Sequence, residues 1–250
     1  MKIPSKKSSI LLADIGNTRT KIAFWNGKKL KNIQYIATKN INTIFLKKYR
    51  IIAASCVVND KKKMLKKNNV FLISAAKNTG INFDSINKKN IGSDRVAAAV
   101  GAANFAKGNL IVIDSGTAIT VNAISSNRKF LGGLILPGFD LLSMALHSGT
   151  SALPQVKINN LSDDNFPGTD TKSAIKNGIS YLLKGGLIYI IKEIAKNCDF
   201  RNYTVIITGG NGKKLLEIIP ESIYFKDLVL YGVAQIWENH NESKNLRVKD

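Results

Sequence analysis

The chain has 250 residues, 44% of them hydrophobic and 8% aromatic, enough for one large core or two of ordinary domain size and too much for a disordered polymer. Its 37 basic and 17 acidic residues give a net charge of +20. The lysines are scattered, many beside asparagine as in Lys66-Lys67-Asn68-Asn69, with no arginine-rich helix and no aromatic-interleaved basic strand; this argues for a lysine-biased solvated surface and against a nucleic-acid partner.

Hydrophobic patterning predicts strands at Ile10–Ala13, Lys21–Trp25, near Ile33–Ala37 and at Ile51–Val58, with helices at Ile41–Lys48 and Lys61–Asn68. Val70–Ser74 reads as a further strand, and Ser93–Lys107 as an alanine-rich helix suited to close packing. A second run of elements begins at Leu110–Asp114 and continues through Ile119–Val121 and a strand from Phe130 to Pro137. Helices follow at Phe139–Leu146 and Thr171–Cys198, the latter interrupted at Gly185-Gly186. Val205–Thr208 is a strand, a last helix runs from about Leu230 to Trp237, and the tail from Asn239 is expected to fray. Strands interleaved with helices imply an α/β fold with mixed sheets, divided near Lys107–Asn109 into domains of residues 1–107 and 108–250. The apolar run Ile10–Ala13 is cut off by Asp14 and is too short for a signal sequence, and no uncharged apolar stretch approaches the roughly 18 residues that span a bilayer. Cys56 and Cys198 show no paired metal-ligand spacing. Reduced thiols and a cytoplasmic location without membrane contact are the expectation.

The most telling pattern occurs twice. One strand runs into Asp14-Ile15-Gly16-Asn17-Thr18 and resumes at Lys21; another runs into Asp114-Ser115-Gly116-Thr117-Ala118 and resumes at Ile119. An Asp-x-Gly turn between strands leaves a carboxylate and several backbone N–H groups at one sheet edge, where the N–H groups can cradle phosphate and the carboxylate can hold a cation. A single copy reads as an ordinary hairpin turn. Two copies with the same flanks suggest two similar domains facing each other over a nucleotide. Gly209-Gly210-Asn211-Gly212 follows a strand and would let a nucleotide approach the backbone, whereas no dinucleotide fingerprint or Walker-type loop is present. Gly92-Ser93-Asp94-Arg95 opens the alanine-rich helix. Asp94 there can be a helix cap, or a general base beside a cationic anchor for an acidic substrate. His147 and His240 are lone histidines read as structural.

The ordered set Asp14-x-Gly-Asn-Thr-x-x-Lys21, Gly92-x-Asp94-Arg95, Asp114-x-Gly-Thr-Ala118, Gly132-Gly-x-Ile-x-Pro-Gly138, Leu153-Pro154, Gly168-x-x-Thr171 and Thr208-Gly-Gly210 resembles the type III pantothenate kinases of the actin-like ATPase superfamily. It spans residues 9 to about 237. The resemblance implies two actin-like (ribonuclease H-like) domains with mixed five-stranded sheets flanked by helices. It also implies ATP-dependent phosphorylation of the primary hydroxyl of pantothenate, the first step towards coenzyme A. Carried over, Asp94 is the catalytic base, while Arg95, Gly92, Ser93 and Thr171 bind substrate. Asp14, Gly16, Asn17, Thr18, Lys21, Thr117, Gly209 and Gly210 bind ATP, with magnesium at Asp14. Asp114 holds a monovalent cation, potassium or ammonium. Thr171 is contributed across a homodimer interface, so the partners are ATP, pantothenate and a second copy of the chain. One departure stands out: where the family carries a Tyr-x-Asn-Pro run, this chain has Ser85, Ile86, Asn87 and Lys88. The aromatic wall and the Pro-fixed turn are absent there or supplied elsewhere. The rival readings are a regulatory or nucleic-acid-associated protein on the same fold, and an actin-like kinase for another small acid or sugar.

Overall fold

The computed structural model describes residues 9–161 and 166–247, and the chain forms two compact units. Of the described residues, unit one takes those within 1–107, 128–130 and 227–250, and unit two those within 108–127 and 131–226.

Unit one is built on β1 (Ile10–Ile15), β2 (Arg19–Trp25), β3 (Leu30–Ala37), β4 (Ile51–Cys56) and β5 (Phe71–Leu72), in the sheet order β3-β2-β1-β4-β5. The strands β1 and β2 pair antiparallel, as do β2 and β3, while β4 runs parallel to both β1 and β5. The central strand is buried along nearly its whole length because both faces are covered, which explains its uninterrupted aliphatic run. One cluster joins Leu11, Ala13, Ile15, Ile22 and Phe24 to Ile41, Leu46 and Leu65, the last two from α1 (Thr43–Lys48) and α2 (Asn59–Lys67).

The helix α3 (Ser93–Phe105) also belongs to this unit and crosses α7 (Leu228–Arg247) at very short range. A Cβ added at Gly232 would lie 1.8 Å from the Ala97 carbonyl oxygen, and one at Gly101 would lie 2.6 Å from the Leu228 carbonyl oxygen. Only backbone fits at this crossing, so the alanine and glycine content of α3 is a packing requirement. The C-terminal helix, expected with the second domain, thus packs on the first unit.

Unit two repeats the same topology with β6 (Asn109–Ser115), β7 (Ala118–Ile124), β8 (Phe130–Pro137), β9 (Tyr203–Thr208) and β10 (Ile223–Tyr224), in the order β10-β9-β6-β7-β8. Again the first strand pairs antiparallel with the second and parallel with the fourth. Its core gathers Ile111, Ile113, Ile119, Val121 and Phe139 against Ile175, Ile179, Leu183 and Leu187 of α5 (Thr171–Asn197). The shorter helices are α4 (Phe139–Ser148) and α6 (Gly212–Leu215).

Two expectations are corrected. Gly185-Gly186 does not interrupt α5, which is continuous over 27 residues. Each interior glycine costs about 1 kcal/mol, but Ile175, Ile179, Leu183, Leu187, Ile191 and Ile194 bury a continuous stripe, each contributing roughly 1.5–3 kcal/mol, so packing prevails. The tail does not fray at Asn239 either: α7 runs on to Arg247, with the His240 ring 4.5 Å from that of Phe71 and an Asn78-to-Ser243 side-chain hydrogen bond of 2.8 Å. Residues 248–250 of that expected tail lie outside the described residues.

Candidate functional site

Asp14 is the penultimate residue of β1, and the ladder sets Lys21 of β2 opposite it on one side and Ser55 of β4 on the other. The turn that follows is held from behind. The Gly16 N–H donates to the Arg19 carbonyl at 3.2 Å, the Thr38 N–H to the Thr18 carbonyl at 3.0 Å, and the Thr38 hydroxyl to the Gly16 carbonyl at 2.8 Å. Asn17 and Thr18 are exposed on this rigid loop. Burial pushes the Asp14 carboxyl up to about 6, with the Asp94 charge adding to the rise; the Lys21 charge and a hydrogen bond from Ser55 act against it. A carboxylate destabilised in this way gains from any cation brought against it.

Lys21 has a partner of its own. Its ammonium lies 3.1 Å from Asp227, which immediately precedes α7, and both side chains are only about 15% exposed (15% and 16%). The Tyr35 ring faces the same cationic cluster, 5.6 Å from Lys21 and 4.9 Å from the Arg19 guanidinium.

The start of α3 is fixed to the end of β4. The Ser93 hydroxyl accepts from the Cys56 N–H at 2.8 Å, donates to the Cys56 carbonyl at 3.0 Å and lies 3.2 Å from the Ser55 hydroxyl. Ser55 therefore connects Asp14 to the helix that carries Asp94 and Arg95. The Asp94 carboxylate folds back to accept the Arg95 N–H at 2.8 Å, and a Cβ at Gly92 would stand 2.4 Å from that same oxygen. Glycine at 92 is what leaves room for the carboxylate. Burial pulls the Arg95 guanidinium below its ordinary value, and the Asp94 charge opposes that shift. In the departing segment, the Ser85 hydroxyl donates to the Phe130 carbonyl at 2.8 Å and the Ile86 N–H to the Phe83 carbonyl at 3.3 Å. This turn is fixed by hydrogen bonds where proline is lacking.

In unit two, Asp114 is the penultimate residue of β6, aligned with Thr120 of β7 and Thr208 of β9. Gly209 adopts φ +91°, and a Cβ there would meet the Asp114 carboxylate at 2.4 Å and the Ser115 carbonyl at 2.5 Å. The second Asp-x-Gly turn and the Gly-rich loop are therefore in contact, as the Asn211 N–H donating to the Ser115 carbonyl at 2.9 Å confirms. Thr117 is exposed, and its carbonyl accepts the Gly138 N–H at 3.0 Å; Gly210 is exposed on the same loop as Gly209.

Thr171 lies elsewhere in unit two, as the first residue of α5. Asp170 caps this helix, accepting from the Lys172 and Ser173 N–H groups at 2.8 and 3.1 Å. Thr171 borders a groove of about 750 Å³ lined mainly by apolar side chains, among them Leu142, Leu146, Leu153, Ile175 and Ile179.

Unit one thus brings together Asp14, Lys21, Ser93, Asp94 and Arg95, and unit two brings together Asp114, Gly209 and Gly210. Thr38, Ser55, Asp227 and Phe130 escaped sequence reasoning. Each reaches the site from a distant part of the chain, with no local motif to mark it. Among the described residues no cluster of three or more His, Cys, Asp or Glu is poised for a metal, and no helix is long and apolar enough to cross a membrane.

The model of the type III pantothenate kinase family matches residues 10–193. The type III pantothenate kinase of Thermosipho africanus is 34% identical, the match covering 92% of this chain and 98% of that one. That of Agathobacter rectalis is 28% identical over 93% and 98%. Among solved structures, a Campylobacter jejuni protein assigned to the Baf family of transcriptional activators is similar at a TM-score of 0.64 and 25% identity, covering 93% of this chain and all of that one (100%). MreB 5 of Spiroplasma citri bound to AMPPNP shares the actin-like fold at a TM-score of 0.50 and 12% identity, covering 99% and 100%.

Proposed function

The chain belongs to the type III pantothenate kinase family, and from that premise we propose which of its residues carry the ATP-dependent phosphorylation of pantothenate. Asp94 is the general base that takes the proton from the primary hydroxyl as its oxygen attacks the terminal phosphorus of ATP, while the bond from that phosphorus to the β-phosphate oxygen breaks and ADP leaves. Arg95 holds the pantothenate carboxylate, a task that suits its planar fork. Gly92 and Ser93 form the floor of that pocket. What carries this reading is the Gly92-to-Arg95 geometry: a carboxylate and a guanidinium on consecutive residues, tied through Ser93 and Ser55 to the half-buried Asp14.

Phosphoryl transfer is catalysed mainly by positioning and by charge neutralisation. The Gly16 and Asn17 backbone, the Thr18 hydroxyl and Lys21 hold phosphate oxygens, and Thr117, Gly209 and Gly210 hold the remainder of the nucleotide. Asp14 fits a magnesium ion that arrives with ATP. Magnesium is commonly held by one or two carboxylates plus substrate phosphates, so a three-ligand protein cage is not needed. Once bound, magnesium neutralises charge on the transferring group. Asp114 fits a monovalent cation, because its half-buried carboxylate lies against Gly209 at the second Asp-x-Gly turn, and a carboxylate oxygen is a ligand that hard cations accept.

Thr171 serves the pantothenate pocket of a second copy in a homodimer. The support is the apolar groove beside it and an exposed apolar surface on unit two that includes Ile135, Leu182 and Tyr189, which are 65%, 62% and 64% exposed. The enzyme works in the cytoplasm, where its substrates are.

Purified protein incubated with ATP, magnesium, potassium and pantothenate yields phosphopantothenate, read by mass. No product under these conditions refutes the assignment. A regulatory reading is favoured by the Campylobacter jejuni relative, although the scattered lysines argue for a solvated surface. It requires a sequence-specific nucleic-acid complex that survives physiological salt.

A further inference from the structure

Phe130 comes from the start of β8, yet it groups with unit one. The Arg95 guanidinium carbon sits 5.7 Å from the centroid of its ring. The ring is 1% exposed and stacks on Phe83, itself 1% exposed, at 5.2 Å and 28°. We infer that Phe130 is a positioning residue for Arg95, a platform that fixes the guanidinium plane for the substrate carboxylate. The inference rests on the reading of Arg95 as the carboxylate anchor.

Three observations support it beyond the ring contact. First, the platform is rigid. The Phe130 N–H donates to the Asn82 carbonyl at 2.9 Å, the Asn82 N–H donates to the Arg128 carbonyl at 2.9 Å, and the Ser85 hydroxyl donates to the Phe130 carbonyl at 2.8 Å. Second, the same short segment is tied to the far end of α3. The Arg128 guanidinium donates to the Gly80 and Ala103 carbonyls and to the Asn104 side-chain oxygen, each at 2.7 Å. Segment 128–130 therefore couples the loop preceding Gly92 to the helix that carries Asp94 and Arg95. Third, the chemistry suits the task. A ring face attracts a guanidinium through its quadrupole and consumes no N–H donor, whereas a carboxylate in the same place would compete with the substrate for the fork. Phe83 supports the ring from behind, so it cannot tip away without opening the core.

The test measures steady-state kinetics for wild type, Phe130→Leu, Phe83→Leu and Arg95→Lys, with pantothenate and with pantothenol, its analogue lacking the carboxylate. Phe130→Leu keeps apolar volume and removes the ring. We expect the pantothenate KM to rise about three- to thirtyfold, the range of a half-buried cation–π contact. The KM for ATP and kcat stay within about twofold, and the preference for pantothenate over pantothenol narrows by the same factor as KM rises. Phe130→Tyr, which keeps the ring face, restores the wild-type preference. Phe83→Leu gives a smaller shift of the same kind and stands in if Phe130→Leu does not fold. Equal rises in both KM values, or a loss of stability with an unchanged pantothenate-to-pantothenol ratio, overturns the inference and leaves Phe130 a core residue. If Arg95→Lys itself leaves that ratio unchanged, the carboxylate assignment fails, and it fails separately from the role of Phe130.

Discussion

Removing the charge of Asp14 should make the nucleotide-free protein more stable while it destroys the phosphate site. In the folded chain this carboxyl is raised from 3.8 to about 6, chiefly by burial. Between those two values the folded state binds more protons than the unfolded chain. Stability therefore falls as the pH rises through this window, and above about 6 the penalty is constant. A rise of roughly two pH units corresponds to about 3 kcal/mol, and partial solvent access at the sheet edge reduces this to about 1–2 kcal/mol. Asp14→Asn has no such charge. Urea unfolding of both proteins without nucleotide, from about pH 3.5 to 8, should give midpoints that converge at the acidic end, below the ordinary value of 3.8. At the alkaline end the variant should be the more stable by that amount, and its turnover should be lost throughout. Parallel midpoint profiles across the whole range would refute the reasoning, because they would mean that the folded carboxyl titrates like an unfolded one.

Gly232→Ala places a methyl carbon 1.8 Å from the Ala97 carbonyl oxygen. The helices α3 and α7 must separate, at a cost of about 3 kcal/mol or more. Thermal unfolding should show a clear drop, with activity falling because α3 carries Asp94; a wild-type melting temperature argues against the tight crossing. Asp94→Asn should fold normally and lose about 10²–10⁴ in turnover, and Thr171→Arg should be inactive for want of a complete pantothenate pocket. After subunit exchange between the two, partial activity should return. No recovery despite mixed dimers on native mass spectrometry removes Thr171 from its neighbour's site.

The strand–turn–strand cores were legible because each couples an aliphatic run to an Asp-x-Gly turn, and both of those are local. The duplicated sheets, the loop at Gly209 and the Gly92-to-Arg95 segment followed from the same local patterns. What could not be read depended on distant partners. The helical continuity through Gly185-Gly186 is decided by the buried stripe from Ile175 to Ile194, whose partners are residues of the sheet such as Ile111 and Ile113. Asp227 has no motif; it matters because the chain returns it to Lys21 after passing through all of unit two. Phe130 looked like the first residue of an ordinary strand, and only the fold sets it against Arg95. The two-residue strand β10 and the four-residue helix α6 are too short to carry a period.

The crossing of α3 and α7 also bears on how the molecule is made. The face of α3 that includes Ala97 and Gly101 waits for a helix that is translated only after the whole of unit two. On the ribosome, the first unit emerges incomplete and cannot close its core until the second has been synthesised. Docking over so long a stretch of chain is entropically slow, so the nascent kinase passes through a stage in which α3 is present but bare along its back. That stage is where a chaperone or a protease has its best access to the newborn chain.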